Sequence, residues 1–283
     1  MILIADSGST KTDWRLIDAN HQIYQYVTQG INPYLQNEKE IAALFERELL
    51  PSLKSGMQSH VSEIHFYGAG CGTVQKKKLI ATSLSPFFPS ALIEIHTDLL
   101  GAARALCGSK PGIAAILGTG SNTCYYDGLY IAENHASLGY ILGDEGSGAH
   151  IGKTFIQAYL NKELPETIAH RFYERFQLDK EQILEKIYKQ PMPNRFLASF
   201  TKFIFQNLKE TYLTDLVANC FNQLFDKHIL KYEHASLRLN CVGSVAFHFS
   251  NILRAVATNK GVQIDTILET PIAALTLYHM KEE

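Results

Sequence analysis

One pattern occurs twice in this chain. Ile4-Ala5-Asp6-Ser7-Gly8-Ser9-Thr10 lays over Ile116-Leu117-Gly118-Thr119-Gly120-Ser121-Asn122, about 110 residues further on. Each copy reads as an apolar strand, a turn of small polar residues and a second strand. The first copy continues into an alternating run with Trp14 and Leu16 on one side of Arg15. A recurring unit predicts a duplicated architecture, and it constrains the fold more tightly than any local propensity. Glycine lets such turns close and lets backbone amides point at an anion. Two facing hairpin turns of this kind can hold one polyphosphate between them.

The second copy opens a longer stretch, 112–149, that ends in Gly143-Asp144-Glu145-Gly146-Ser147-Gly148. A helical pattern follows, with Ile151, Phe155 and Tyr159 in step. Two carboxylates among residues suited to tight turns are unusual as pure structure. The plain alternatives are a simple hairpin turn at GTGSN and a helix cap at GDEGSG.

Together, Asp6-x-Gly8-x-Thr10-Lys11-Thr12, Thr97-Asp98, GTGSN and GDEGS resemble the actin/hexokinase/Hsp70 ATPase superfamily. Within it they are similar to the N-acetylglucosamine kinases and the BadF/BadG-type ATPases. A Gly243-Ser244 turn extends the match. The resemblance implies an α/β fold of two actin-like (ribonuclease H-like) ATPase domains with a cleft between them. It implies an ATP-dependent kinase acting on the 6-hydroxyl of N-acetylglucosamine or a close amino sugar, with ATP and Mg²⁺ as cofactors.

The element order agrees with that expectation. Strands are expected at 2–5, 12–18 and 22–28, a helix at 38–50 and a strand at 63–68. A helix at 75–84, a strand at 92–97 and a helix at 99–107 complete a first domain, 1–110. Alternating strands and helices suggest a mostly parallel sheet covered on both faces. Pro111-Gly112 marks the hinge to a second domain, 111–283. A helical insertion at about 147–232 interrupts it, broken at Pro191-Met192-Pro193, with its longest helix at 213–232. A strand at 237–242 and a helix at 245–258 follow. Thr270 and Pro271 read as N-cap and first position of the last helix.

The chemistry assigned to these positions is phosphoryl transfer. Asp6 follows the first strand, where a hard carboxylate suits Mg²⁺; it is otherwise a turn former. Asp98 ends a strand, where ligands gather in open α/β sheets. It can accept the proton of an attacking hydroxyl or simply cap a helix starting at Leu99; the resemblance favours the base. By the same resemblance Gly8, Ser9, Thr10, Lys11, Gly118, Thr119, Gly120, Gly243 and Ser244 contact ATP. Asn32, Ser121, Asn122, Ser137, Leu138, Gly139 and Asp144 contact the sugar. Asn32 reads without it as a turn before Pro33. The family's glycine-rich wall before GDEGS is replaced here by Leu138 and Tyr140, so a glucosamine kinase is an alternative.

Composition excludes other classes. The formal net charge is −2 and the basic run Lys76-Lys77-Lys78 stands alone, so nucleic acid is not an expected partner. That triplet reads as the solvated first turn of a helix. No apolar run nears the ~20 residues of a membrane span, and an opening strand pattern argues against a signal peptide. The five cysteines, 71, 107, 124, 220 and 241, form no close pair and read as free thiols in a cytoplasmic protein. The absent cysteine pair also argues against an iron–sulfur dehydratase activator, and the joint presence of Asp6, Asp98 and Asp144 argues against a non-catalytic sugar sensor. The eleven histidines show no metal-ligand spacing, and none is expected to bind zinc. A homodimer is compatible with this reading.

Overall fold

The computed structural model describes residues 1–8, 10–54, 56–135, 137–233 and 238–280. The chain divides into two compact units. The first comprises Met1–Lys110, Gly128–Tyr130 and Thr270–Glu283, and the second Pro111–Asp127 and Ile131–Glu269. The expected second domain, 111–283, therefore gives up its last helix, Ile272–Met280, to the first unit.

In the first unit β1 (Ile2–Ser7), β2 (Lys11–Ile17), β3 (Ile23–Gln29), β4 (Glu63–Gly68) and β5 (Leu92–Thr97) form one sheet in the order β3-β2-β1-β4-β5. β1 pairs antiparallel with β2 and parallel with β4, and β4 pairs parallel with β5. The centre of such a sheet is covered on both faces, which is why β1 is a continuous apolar run. Leu3 and Ala5 join Trp14, Ile41, Phe45 and Phe66 in one core. Ile4 faces the other way, onto Tyr67, Ile272 and Leu275. The last helix is thus held by burial of its own apolar residues against β1 and the helix Asp98–Cys107. Edge strand β3 instead alternates: Tyr24, Tyr26 and Thr28 face inward, and Ile23, Gln25, Val27 and Gln29 are exposed.

In the second unit β6 (Gly112–Leu117), β7 (Ser121–Tyr126), β8 (Ile131–Glu133), β9 (Leu239–Val242) and β10 (Ile264–Leu268) lie in the order β10-β9-β6-β7-β8. Renumbered within the unit, this is the first sheet's order, with the same antiparallel and parallel pairings. The repeat is therefore a repeat of topology, the duplicated arrangement that the resemblance to actin-like ATPases implies. Short β8 and β10 lack a strong sequence pattern and were not expected.

Six helices from Gly148–Leu160 to Thr211–Lys227 fill the insertion. Phe155, Phe172, Phe200 and Phe203 knit it together with ring centroids 5.0–5.8 Å apart. The longest helix stops at Lys227, before a separate 3₁₀ turn at Ile229–Lys231. The helix expected at 245–258 is two, Ser244–His248 and Ser250–Asn259, broken at Phe249.

Candidate active site

In the first unit the polar residues gather at the carboxyl ends of β1 and β5. Asp6 stands opposite Asp13 in the β1–β2 ladder. Burial first, then the neighbouring charges of Asp13 and Asp98, push the Asp6 carboxyl up to about 7, with Lys11 opposing. Asp13 is 8% exposed and paired with Lys11 at 2.9 Å. Asp98 is also pushed above the usual carboxylate range, chiefly by burial. Three carboxylates thus share one region, and Lys11, which opposes their charge on Asp6, is largely exposed. Such a donor set is short of positive charge, and it suits a hard divalent cation.

Asp98 is not the cap of its helix. Thr97 is: its Oγ1 accepts the Leu100 N–H at 3.2 Å, and Asp98 is the first helical residue, its Oδ1 accepting the Leu99 N–H at 2.9 Å. The turn between β1 and β2 closes by a Gly8 N–H to Lys11 carbonyl bond of 3.0 Å, and Ser7 Oγ meets Thr12 Oγ1 at 2.8 Å. Thr10 is exposed in this turn; Ser9 lies outside the described residues. Asn32 forms the turn its sequence suggested: its Oδ1 accepts the Tyr34 N–H at 3.0 Å. Lys76 is only partly solvated, because its Nζ donates to the Pro33 carbonyl at 2.6 Å. Beside this region, burial pushes the Cys71 thiol up to about 12, so it is no nucleophile.

In the second unit the turn Gly118-Thr119-Gly120 follows β6, and its carbonyls anchor the helix Gly148–Leu160. Gly148 N–H donates to Gly118 O at 2.8 Å, and Ala149 N–H to Thr119 O at 3.0 Å. Gly243, at φ 122°, follows β9 next door, and a Cβ there would sit 2.3 Å from Leu117 O. Only glycine meets both demands. The two glycine turns thus lie at the carboxyl ends of adjacent parallel strands, with Ser244 opening the helix beyond.

GDEGSG contains the helix cap that its sequence suggested. Ser147 caps the helix Gly148–Leu160, accepting the His150 N–H at 3.1 Å. Asp144, at φ 55°, turns its carboxylate back towards the glycine turn. A Cβ on Gly120 would lie 2.9 Å from Asp144 Oδ2. Ser137 Oγ donates to Asp144 Oδ1 at 3.0 Å, yet burial raises the Asp144 pKa overall. A pocket of about 190 Å³ opens here, lined by Ser121, Asn122, Ser137 and Asp144, as the sequence proposed, and by Thr123, His135 and His228, which it did not. Asn122 Oδ1 already accepts from Thr123 N–H and Asn134 Nδ2, each at 3.0 Å, so it can offer a ligand its amide donor. Leu138 is 59% exposed and, with Gly139, stands outside this lining.

Neighbouring Glu145 is 5% exposed. Burial works to raise its pKa, but Lys227 Nζ at 2.7 Å and His228 Nε2 at 3.0 Å hold it down to about 2. His150, buried and neutral, is pushed down to about 4 by desolvation, and its Nδ1 accepts the Gly146 N–H at 3.2 Å. His228 and Lys227 come from more than 80 positions away along the chain. No local pattern marks them. Asp13 had a local signal, a carboxylate within a run otherwise buried on both sides.

No protein-family model matches the chain. A solved structure from Porphyromonas gingivalis, provisionally named an N-acetylglucosamine kinase, is 42% identical over 99% of each chain, with a TM-score of 0.94. A second of that provisional name, from Chromobacterium violaceum, shares the fold at 15% identity over 98% of each chain, with a TM-score of 0.77. The N-acetylmuramic acid/N-acetylglucosamine kinase of Clostridium acetobutylicum is 25% identical over 93% of this chain and 85% of its own. At 42% identity over nearly its whole length, the chain belongs to the N-acetylglucosamine kinase family of actin-like fold.

Proposed function

We propose that this protein is an ATP-dependent amino-sugar kinase that phosphorylates the 6-hydroxyl of N-acetylglucosamine. The observation that carries the reading is the gathering of Asp6, Asp13 and Asp98 at the strand ends of the first unit. Phosphoryl transfer asks for a held polyphosphate, a metal and a group that takes the proton of the attacking oxygen. Asp98 is the base: buried, with its pKa raised by that burial, it is a better proton acceptor than a solvated aspartate. Asp6 and Asp13 fit Mg²⁺ and would hold it; bound there, the ion would neutralise phosphate charge.

Gly8, Thr10, Lys11, Gly118, Thr119 and Gly120 are assigned to the phosphates, and Gly243 and Ser244 to the adenosine. The second-unit pocket is assigned to the sugar, with Ser121, Asn122, Ser137 and Asp144 as its hydrogen-bonding groups. Asn32, Leu138 and Gly139 complete the proposed sugar contacts. The pocket is small and lined by seven residues, which suits contact with one part of the sugar. Asp144, raised by burial and hydrogen-bonded by Ser137, is suited to accept sugar hydroxyl protons. The protein is proposed to act in the cytoplasm, where ATP is supplied.

A site built to bond an acetamido group rejects a sugar lacking it, because a buried partner is left unpaired. That costs about 1–3 kcal/mol. N-acetylglucosamine should therefore exceed glucose by at least about tenfold in kcat/KM. The test is ADP release with N-acetylglucosamine, glucosamine and glucose, with the phosphorylated position read from the product. Equal rates with N-acetylglucosamine and glucose would overturn the assignment; a clear lead for glucosamine would move it to the free amine.

A further inference from the structure

A second cluster of metal-ligating side chains lies in the first unit, on strands β4 and β5. Glu63 and His65 alternate along β4 with Tyr67, and Glu94 and His96 lie on β5. The parallel register sets His65 against Glu94 and Tyr67 against His96. His65, Glu94 and His96 each offer one ligand atom, and the three atoms lie within 4.8 Å of one another. Two edges of that triangle are shorter: His65 Nδ1 to Glu94 Oε2 is 3.2 Å, and His96 Nε2 to the same oxygen is 3.3 Å. Ligands at zinc bond lengths of about 2.0–2.1 Å, arranged tetrahedrally, are separated by roughly 3.3–3.4 Å.

The hydrogen bonding around His65 suits a ligand to a cation. Its Nε2 meets Glu63 Oε2 at 3.2 Å. A carboxylate on one ring nitrogen fixes the tautomer and leaves the lone pair on the other, the arrangement seen behind metal-bound histidines. His65 is 8% exposed, and its buried Nδ1 has no hydrogen-bond partner although Glu94 stands 3.2 Å away. A bare lone pair facing a carboxylate oxygen at that distance is repulsive, so either a second ring proton or a metal ion lies between them. Both imidazoles are also held in place: His279 stacks on His65 at 4.0 Å, and Tyr67 on His96 at 5.2 Å.

We infer that His65, Glu94 and His96 form a binding site for a divalent transition-metal ion, zinc foremost, oriented by Glu63. Two imidazoles with one carboxylate suit zinc, whereas magnesium takes oxygen ligands and is left to the carboxylates near Asp6. The ion would clip β4 to β5 two residues before Asp98. The inference does not depend on the kinase reading.

The test uses full-length, tag-free protein stripped of metal and without nucleotide. Zinc is titrated against a chromogenic chelator, cobalt is added for its visible ligand-field bands, and melting is followed with and without zinc. One zinc per chain should bind, with a rise in melting temperature and a four-coordinate cobalt spectrum. Glu63→Gln should weaken zinc by about ten- to a hundredfold. His65 is buried and its replacement risks the fold, so the decisive variant pairs His96→Asn with Glu94→Gln. That variant should melt as the parent does without zinc and lose the zinc-induced rise, with affinity down at least a hundredfold. Stoichiometric zinc retained by it, or no zinc bound by the parent, would overturn the inference.

Discussion

The two units share a strand order but differ in what they place at the strand ends. In the first, β1 stays paired through Ser7, which stands opposite Thr12 of β2. Asp6 and Asp13 are therefore fixed inside the ladder, where burial and mutual repulsion act on them. In the second, β6 ends at Leu117 and only 118–120 intervene before β7. No carboxylate stands in that ladder; the one at the turn, Asp144, is delivered by a later loop. A glycine marks the end of the middle parallel strand in both, Gly68 as the last residue of β4 and Gly243 directly after β9. The comparison teaches that a duplicated scaffold supplies the geometry of a turn, while its charge is set by the few residues that differ. On this account the first unit does the proton and metal chemistry and the second recognises the sugar.

The comparison breaks most visibly at Asp98. Asp98→Asn keeps the shape but cannot take a proton, and kcat should fall by at least about a hundredfold. Because burial raises the Asp98 pKa, the parent's activity should be lost on the acid side at a pH above the usual carboxylate range. A variant with near-parental kcat in steady-state assays would make Asp98 merely structural.

Next in size is Gly120→Ala, which sharpens the second unit's role. The added Cβ meets Asp144 at 2.9 Å, so the carboxylate must move. KM for the sugar should rise about tenfold, in line with one lost hydrogen bond of ~1–2 kcal/mol, beyond any effect on ATP, whose phosphates are assigned to the same turn. An unaltered sugar KM would detach Asp144 from recognition.

Asp6→Asn tests the charge imbalance. Asp6 holds its proton in the folded state up to about 7 but releases it at 3.8 when unfolded. Between those values the unfolded chain has lost a proton that the folded one keeps, so the parent loses stability as pH rises. The variant's melting temperature should therefore exceed the parent's by a margin that grows from about pH 4 to 7 and then levels. The same variant should use Mg·ATP poorly. A margin independent of pH would place Asp6 elsewhere electrostatically.

The smallest effect is expected at Lys227→Met. Lys227 is 54% exposed, and Glu145 keeps His228. The loss should be about 1 kcal/mol or less in denaturant titration. A loss of several would mean that the clamp supports the whole insertion.

Much of this was legible in the sequence because it was local or repeated. The two hairpins, the carboxylates at the strand ends and the Met192 break, left-handed at φ 57°, all follow from contiguous residues. What escaped was set by distance along the chain. His135 and His228 reach the pocket from other elements, and His65 meets Glu94 and His96 only across a strand pair, so no spacing rule finds them. Edge strand β10 pairs on one side alone and needs little apolar pattern. The fate of the last helix was decided by Ile272 and Leu275 packing on β1, a tertiary choice that Thr270 and Pro271 do not encode.

The division of labour is tested most directly by calorimetric binding of N-acetylglucosamine to Asp98→Asn and Asp144→Asn side by side. The account predicts that Asp98→Asn binds the sugar within a few-fold of the parent, while Asp144→Asn loses at least about tenfold, one hydrogen bond to a buried charged group. Parental affinity in Asp144→Asn together with lost affinity in Asp98→Asn would contradict it.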